Sequence, residues 1–230
     1  MKPLSIAVVI PVGPSETTLA PMLQQLAYLQ SAEQIIFVFC PASVSLRAQL
    51  PTDERIITLT VEAGRAAQMN AGAQRVNSEF IWFLHLDSQF SNAQWQMLKQ
   101  SLRRAPTGLH YFNLRFLSDG RGPMWLNRQG ANLRSRCLRL PFGDQGFCLA
   151  VDQFKRLGGY PLDAPYGEDH LFVWQAHHGG IALINTGATL TTSARKYSTT
   201  GWLKLTLRYQ FYWLKQATPQ VWLLLKAKMF

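Results

Sequence analysis

The chain has 230 residues, 47% of them hydrophobic and 16% charged, the balance of a globular protein that buries a full core. No apolar run approaches the roughly 18 residues of a spanning helix, so a membrane span is not expected. A formal net charge of +10 points instead to an anionic partner: a membrane surface, nucleic acid or a phosphorylated substrate.

The opening "MKPLSIAVVIPVG" imitates a signal peptide. Its apolar run is short and closes at Pro11 without a small-residue cleavage site, so it reads as a first buried strand over 4–12. Leucines at 19, 23, 26 and 29 recur at helical spacing and predict a helix from about 17 to 30. "QIIFVFC" (34–40), "ERIITLTV" (54–61) and "EFIWFLHLD" (79–87) predict three more strands. Between the last two, "GRAAQMNAGAQRV" (64–76) predicts a helix, and another begins near Ser91 and covers "AQWQMLKQSLRR". This alternation argues for a doubly wound parallel sheet, whose ligands bind beyond the carboxyl ends of the strands.

From residue 106 the pattern changes. "LHYFNLRF" (109–116) alternates like an antiparallel strand, "MWLNRQGANLRSRCLRL" reads as a basic helix, and "PFGDQGFCLAV" (141–151) as a turn entering a strand. "QFKRLGGYP" (153–161) predicts a short helix stopped by glycines, and "EDHLFVWQAHHGG" (168–180) one with its acids first. "IALINTGATLTTSA" is strand-like. The three cysteines, Cys40, Cys137 and Cys148, have no paired spacing, which predicts reduced thiols and a cytoplasmic location.

Several constellations carry chemistry. Asp87 ends a buried strand with His85 two residues before it, on the same side of an extended chain. The pair suits one divalent metal, or a helix cap with a packed histidine. Glu168 and Asp169 open a helix, where acids favour the dipole and where a proton acceptor could meet a hydroxyl. Arg65, Gln68 and Asn70 lie at a helix start behind Gly64, a setting suited to phosphate. Asp144 and Gln145 stand between glycines in a polar turn that is structural or binds hydroxyls. Over 201–216 a helix is apolar on most of its circumference, with Lys204, Arg208 and Lys215 on a narrow stripe. It either lies in a membrane interface or packs against the domain or a dimer partner. No Asp or Glu follows Asp169. The basic residues match no nucleic-acid motif, and no nucleic-acid partner is expected.

The ordered segments "IAVVIPV", "GRAAQMNAGA", "FLHLDS", "GANLRSR", "PFGDQG", "GGYP", "GEDHLF" and "TTSARKY…GW" resemble bacterial family-2 glycosyltransferases. The likeness is to the short subgroup associated with radical-SAM and selenium-domain proteins, and it runs over roughly 5–215. It implies a GT-A type, Rossmann-like α/β fold: one domain over 1–200, with a nucleotide half (1–105) and an acceptor half (106–200). A basic helical segment would follow over 201–230. It also implies a nucleotide-diphosphate sugar donor, a divalent manganese or magnesium ion, and inverting, hexosyltransferase-like transfer to a hydroxyl acceptor. Asp87 would meet the metal and donor phosphates, with His85 as a second candidate ligand. Asp169, beside Glu168, would be the catalytic base. Pro11, Phe39, Arg65, Gln68, Asn70, Asp144, Gln145 and Arg195 fall on the donor side.

Two departures touch the nucleotide pocket. The family usually ends its second strand with Asp and Gly-Gly-Ser, where this chain has "FVFCPASV"; the first strand leads into "PVGPSE" rather than an Asn-Glu pair. Stacking of a base on Phe39, a different donor nucleotide, and a degenerate homologue that binds without turnover are the three readings these changes open.

Overall fold

Every residue from Ile6 to Val12 is buried, and successive side chains enter opposite cores. Ile6, Val8, Ile10 and Val12 join Phe37, Phe39, Trp82 and Trp95 on one face. Ala7 and Val9 join Ile36, Val38, Ile81, Phe83 and Phe172 on the other. A strand covered on both faces needs apolar residues at every position, which explains runs without alternation.

The computed structural model describes residues 3–229. Its sheet is built from β1 (Ile6–Val12), β2 (Gln34–Phe39), β3 (Ile56–Thr60), β4 (Phe80–Phe83), β5 (Leu109–Phe116), β6 (Cys148–Ala150) and β7 (Leu183–Thr192). The order is β3-β2-β1-β4-β6-β5-β7. The first four strands are mutually parallel, β6 runs antiparallel to both β4 and β5, and β7 is parallel to β5. The helices are α1 (Ala20–Leu23), α2 (Arg65–Ala73), α3 (Asn92–Arg104), α4 (Met124–Leu133), α5 (Val151–Arg156), α6 (Glu168–His178), α7 (Arg195–Thr200) and α8 (Trp202–Met229). α3 covers the first face, and α2, α5 and α6 cover the second. Ser91 caps α3 through a reciprocal box with Gln94, which explains why that helix starts where its sequence says.

Several expectations are corrected. The helix expected from 17 to 30 is only α1 followed by a short 3-10 turn, Leu26–Tyr28; Pro21 falls in α1's first turn, where proline is tolerated. The strand expected to reach Asp87 stops at Phe83, and Ser88 N–H donates to His85 O at 3.0 Å across a turn. The strand over 109–116 is antiparallel only to β6. α5 starts at Val151, and α8 extends through Pro219 to Met229. A 3-10 stretch (Pro41–Gln49) and α7 were not expected. Among the described residues, no helix is long and apolar enough to cross a membrane.

Candidate functional site

The parallel strands β1, β2 and β4 end on one side of the sheet, and β6 reverses direction beside β4. The chain leaving β4 turns through His85, Leu86 and Asp87, then Gln89 pairs with Thr191 at the end of β7 (Gln89 N to Thr191 O, 2.7 Å). That bridge brings Thr192 to Asp87, whose Oδ1 accepts the threonine hydroxyl at 3.1 Å. Here a cavity of about 760 Å³ opens, walled by this turn, the 142–144 loop, the first turn of α6, α4, α7 and α8.

Asp169 is the most firmly held acid in the wall. Its Oδ2 accepts the Gly143 N–H at 2.6 Å, and its Oδ1 accepts the His170 N–H at 2.9 Å. Arg65 reaches it at 3.8 Å and pairs closely with Glu168. The glycine is required by this approach, because a Cβ at position 143 would lie 2.9 Å from Asp169 Oδ2. The "PFGDQG" turn and the "EDH" helix start are therefore two halves of one construction. Gly167, with φ of +63°, begins that helix, and a side chain there would collide with Gln216 of α8. Burial alone would raise the Asp169 pKa, but Arg65 and the two amides outweigh it and hold the carboxylate below its usual range. Burial likewise works against the Arg65 charge, yet Asp169 and Glu168 keep the guanidinium above its ordinary value.

Asp144 sits differently. Its Oδ1 is buried without a hydrogen-bond partner. Burial, with repulsion from Asp169, pushes its pKa up to about 6, against the pull of Arg134 and Arg65. Arg134 lies over the Phe142 ring at 3.6 Å, and its Nε donates to Leu140 O at 2.9 Å. Burial brings that guanidinium down to about 10.

At the other end of the cavity, burial raises the Asp87 pKa, opposed by the Thr192 hydroxyl and Arg195. Arg195 pairs with Glu16 at 2.5 Å. Burial and the Arg65 charge push His85 down to about 3, so its imidazole is neutral. His85 and Asp87 both line the cavity, from a turn rather than from adjacent same-side strand positions. Among the described residues, no three His, Cys, Asp or Glu side chains are grouped to hold a metal. A magnesium-like ion at phosphates takes one or two carboxylates and draws its other ligands from phosphate and water. Asp87 meets that sparse requirement, with neutral His85 as the adjacent donor.

Of the sequence-derived residues, Arg65, His85, Asp87, Asp144, Glu168, Asp169 and Arg195 meet at the cavity, and five do not. Phe39 is fully buried and stacks on Phe37 with centroids 6.4 Å apart, so its ring is unavailable to a nucleotide base. Pro11 is buried within β1. Gln68 Nε2 ties two strand ends together, donating to Val12 O (2.9 Å) and Val38 O (2.7 Å). Asn70 makes a reciprocal pair with the Tyr160 backbone at 2.8 and 2.9 Å. Gln145 is fully buried and braces its turn through Ser135 and Phe112 O. Sequence reading missed Arg134, Thr192, Lys196 and the aromatic wall of Tyr166, Tyr209, Tyr212 and Trp213. Arg134 lies within the quoted "GANLRSR" segment, but an arginine in a basic helix reads as solvated.

The family model "Glycosyl transferase family 2" matches residues 41–154, a span that includes Arg65, His85, Asp87 and Asp144 and ends before α6. Among solved structures, S. aureus TarS 1-349 in complex with UDP-GlcNAc is similar, with a TM-score of 0.65 at 14% identity. The alignment covers 83% of this chain and 58% of that one. S. aureus TarS 1-349 in complex with UDP gives 0.63 at 14% identity over 83% and 60% of the two chains. At such identities the likeness is one of fold, and this chain spans less than two thirds of those proteins' length. No curated protein matches the sequence. The chain therefore has a GT-A type, Rossmann-like fold, with a glycosyl transferase family 2 match across residues 41–154.

Proposed function

We propose that the protein is a family-2 glycosyltransferase of the short radical-SAM and selenium-domain-associated subgroup, moving a hexosyl group from a nucleotide-diphosphate sugar to a hydroxyl with inversion. The observation that carries this reading is the convergence, in one cavity, of a fixed carboxylate (Asp169) with an acid and cations suited to a diphosphate (Asp87, Arg195, Lys196). The matched family region and the similarity to a UDP-GlcNAc-bound structure support it.

In this mechanism Asp169 accepts the acceptor's proton as the hydroxyl oxygen attacks the anomeric carbon. The new C–O bond forms on the face opposite the departing diphosphate, whose C–O bond breaks. Asp169 is held below the usual carboxylate range, which keeps it deprotonated at neutral pH. A weak base is sufficient, because the hydroxyl becomes strongly acidic as its oxygen bonds to carbon. Arg65 and the Gly143 and His170 amides fix the carboxylate in place, so little reorganisation is needed during attack. Arg195 and Lys196 face the leaving group. When bound at Asp87, a manganese or magnesium ion supplies charge neutralisation for the departing diphosphate. Asp144 and Arg134 border the donor sugar. The free thiols Cys40, Cys137 and Cys148 accord with a cytoplasmic location.

A homologue that binds a sugar nucleotide without turnover is the competing reading, and the sealed Phe39 end of β2 is the observation that favours it. Thermal-shift assays with nucleoside diphosphates and their sugars, with and without manganese, test both. One nucleotide class should raise Tm in a metal-dependent way, and its sugar conjugate should be consumed when acceptor is present. Stabilisation without consumption supports the binding-only reading; no stabilisation by any of them overturns both.

A further inference from the structure

The inner face of α8 packs on the domain through Leu205, Trp213, Gln216, Ala217 and Leu224. Its outer face is apolar. Leu203, Leu207, Phe211, Leu214, Val221 and Leu225 are between 44% and 61% exposed. At 3.6 residues per turn they fall within about 80° of arc, a stripe along the helix that Thr218 interrupts between Leu214 and Val221. Lys204, Arg208, Lys215 and Lys226 each directly follow a stripe residue, so they form a row along one border of it. Lys226 lies over exposed Trp222 at 5.2 Å from the ring centroid. No acidic residue follows Asp169 anywhere in the chain, so nothing on α8 answers this charge.

The stripe also borders the cavity. Gln210 lines it, and its neighbours three and four residues away along the helix are Leu207 and Leu214. Across the opening, α4 contributes Leu126, which lines the cavity and is 42% exposed, beside Trp125 at 57%. The α8 lining itself is mixed, with Thr206, Tyr209, Gln210 and Trp213, and the apolar stripe lies just outside it.

We propose that the outer face of α8 docks on an anionic lipid bilayer and sets the mouth of the cavity, between α4 and α8, against the lipid headgroups. An apolar stripe bordered by cations is the pattern of a helix lying in a membrane interface. A second copy docking through the same helix would bring the same cationic row with no acid to meet it, which selects the bilayer over a symmetric α8 pairing as the occupant. This inference does not depend on sugar transfer.

Flotation with phosphatidylcholine vesicles, with and without phosphatidylglycerol, tests the docking. The wild type should float with the anionic vesicles at low salt and lose binding as salt rises. Lys204→Glu with Lys215→Glu, and separately Leu207→Asp with Phe211→Asp, should each cut the bound fraction about tenfold or more. The stripe is solvent-exposed, so these variants should keep the wild-type circular dichroism spectrum. Asp169→Asn should float like wild type whatever its turnover, which separates failure of docking from failure of the transfer reading. For the orientation, an environment-sensitive fluorophore at Leu126→Cys in a Cys137→Ser background should brighten with anionic vesicles. One at Glu54→Cys, near the opposite end of the sheet, should not. No flotation at low salt overturns the proposal. So does light scattering that shows a dimer made monomeric by Leu207→Asp, or equal responses at positions 126 and 54.

Discussion

The ends of β1 and β2 and the acids and arginines around the cavity use buried polar side chains in opposite ways. In the first region polar groups are consumed by the fold. Gln68 joins Val12 O to Val38 O, and the Ser43 hydroxyl reaches Val12 O at 2.9 Å. In the second region charges face a cavity with capacity to spare. Asp144 Oδ1 has no partner, and Asp169, Glu168, Arg65 and Arg134 line one space. The crevice beyond the strand ends of an α/β sheet need not be open along its whole length. Here it is sealed at β2 and open at the antiparallel seam, where β6 reverses beside β4.

The largest expected effect tests the sealed end. Phe39→Ala should cost about 3–5 kcal/mol of stability, the range for emptying a buried aromatic site, measured by denaturant unfolding. Phe39→Leu should cost less, and its folded form should bind a sugar nucleotide as wild type does. Selective loss of nucleotide affinity in Phe39→Leu would break the comparison and return the ring to the binding site.

Arg65→Gln should cost about 1–3 kcal/mol at neutral pH, a value reduced for the partial exposure of the guanidinium. The sign with pH follows from Asp169. A depressed folded-state pKa contributes stability above the ordinary carboxylate value, and that contribution is lost as pH falls through the folded pKa. The deficit of Arg65→Gln should therefore hold from pH 7.5 down to about 4 and narrow only below that, when Tm is followed into the range under the ordinary carboxylate value.

Asp144→Asn should act in the other direction and more weakly. The Asp144 pKa is raised to about 6, so its contribution to stability is present below the ordinary carboxylate value and lost as pH rises through about 6. At pH 7.5 the variant should be more stable than wild type by about 1–2 kcal/mol. The gain should vanish near pH 4, where both side chains are neutral. A variant less stable than wild type at pH 7.5 would mean that Asp144 is well paired.

Much of this architecture is written in local pattern. Continuous apolar runs over 4–12 and 34–40 are what strands covered on both faces require, and Ser91 with Gln94 marks the start of α3. The acids of the cavity stand out because they end or begin apolar elements, as Asp87 and Asp169 do. What the sequence does not disclose depends on partners distant in the chain. The fate of Gln68, Asn70 and Gln145 is decided by carbonyls up to 90 residues away. Arg134 enters the site only because a π-helical turn, Arg134–Leu138, follows α4 and Phe142 folds back beneath it. Phe39 stands at a strand end, a position that suggests a ligand, whereas its alternation with Val38 directs it into the same core as Phe37.

The most direct test of the central claim is to measure donor binding and transfer on Asp169→Asn with the sugar nucleotide that stabilises the wild type. Donor affinity should stay within about threefold of wild type, while transfer should fall by about 10²–10⁴, the loss expected when a general base is removed. Transfer at the wild-type rate would contradict the account and remove Asp169 from the chemistry.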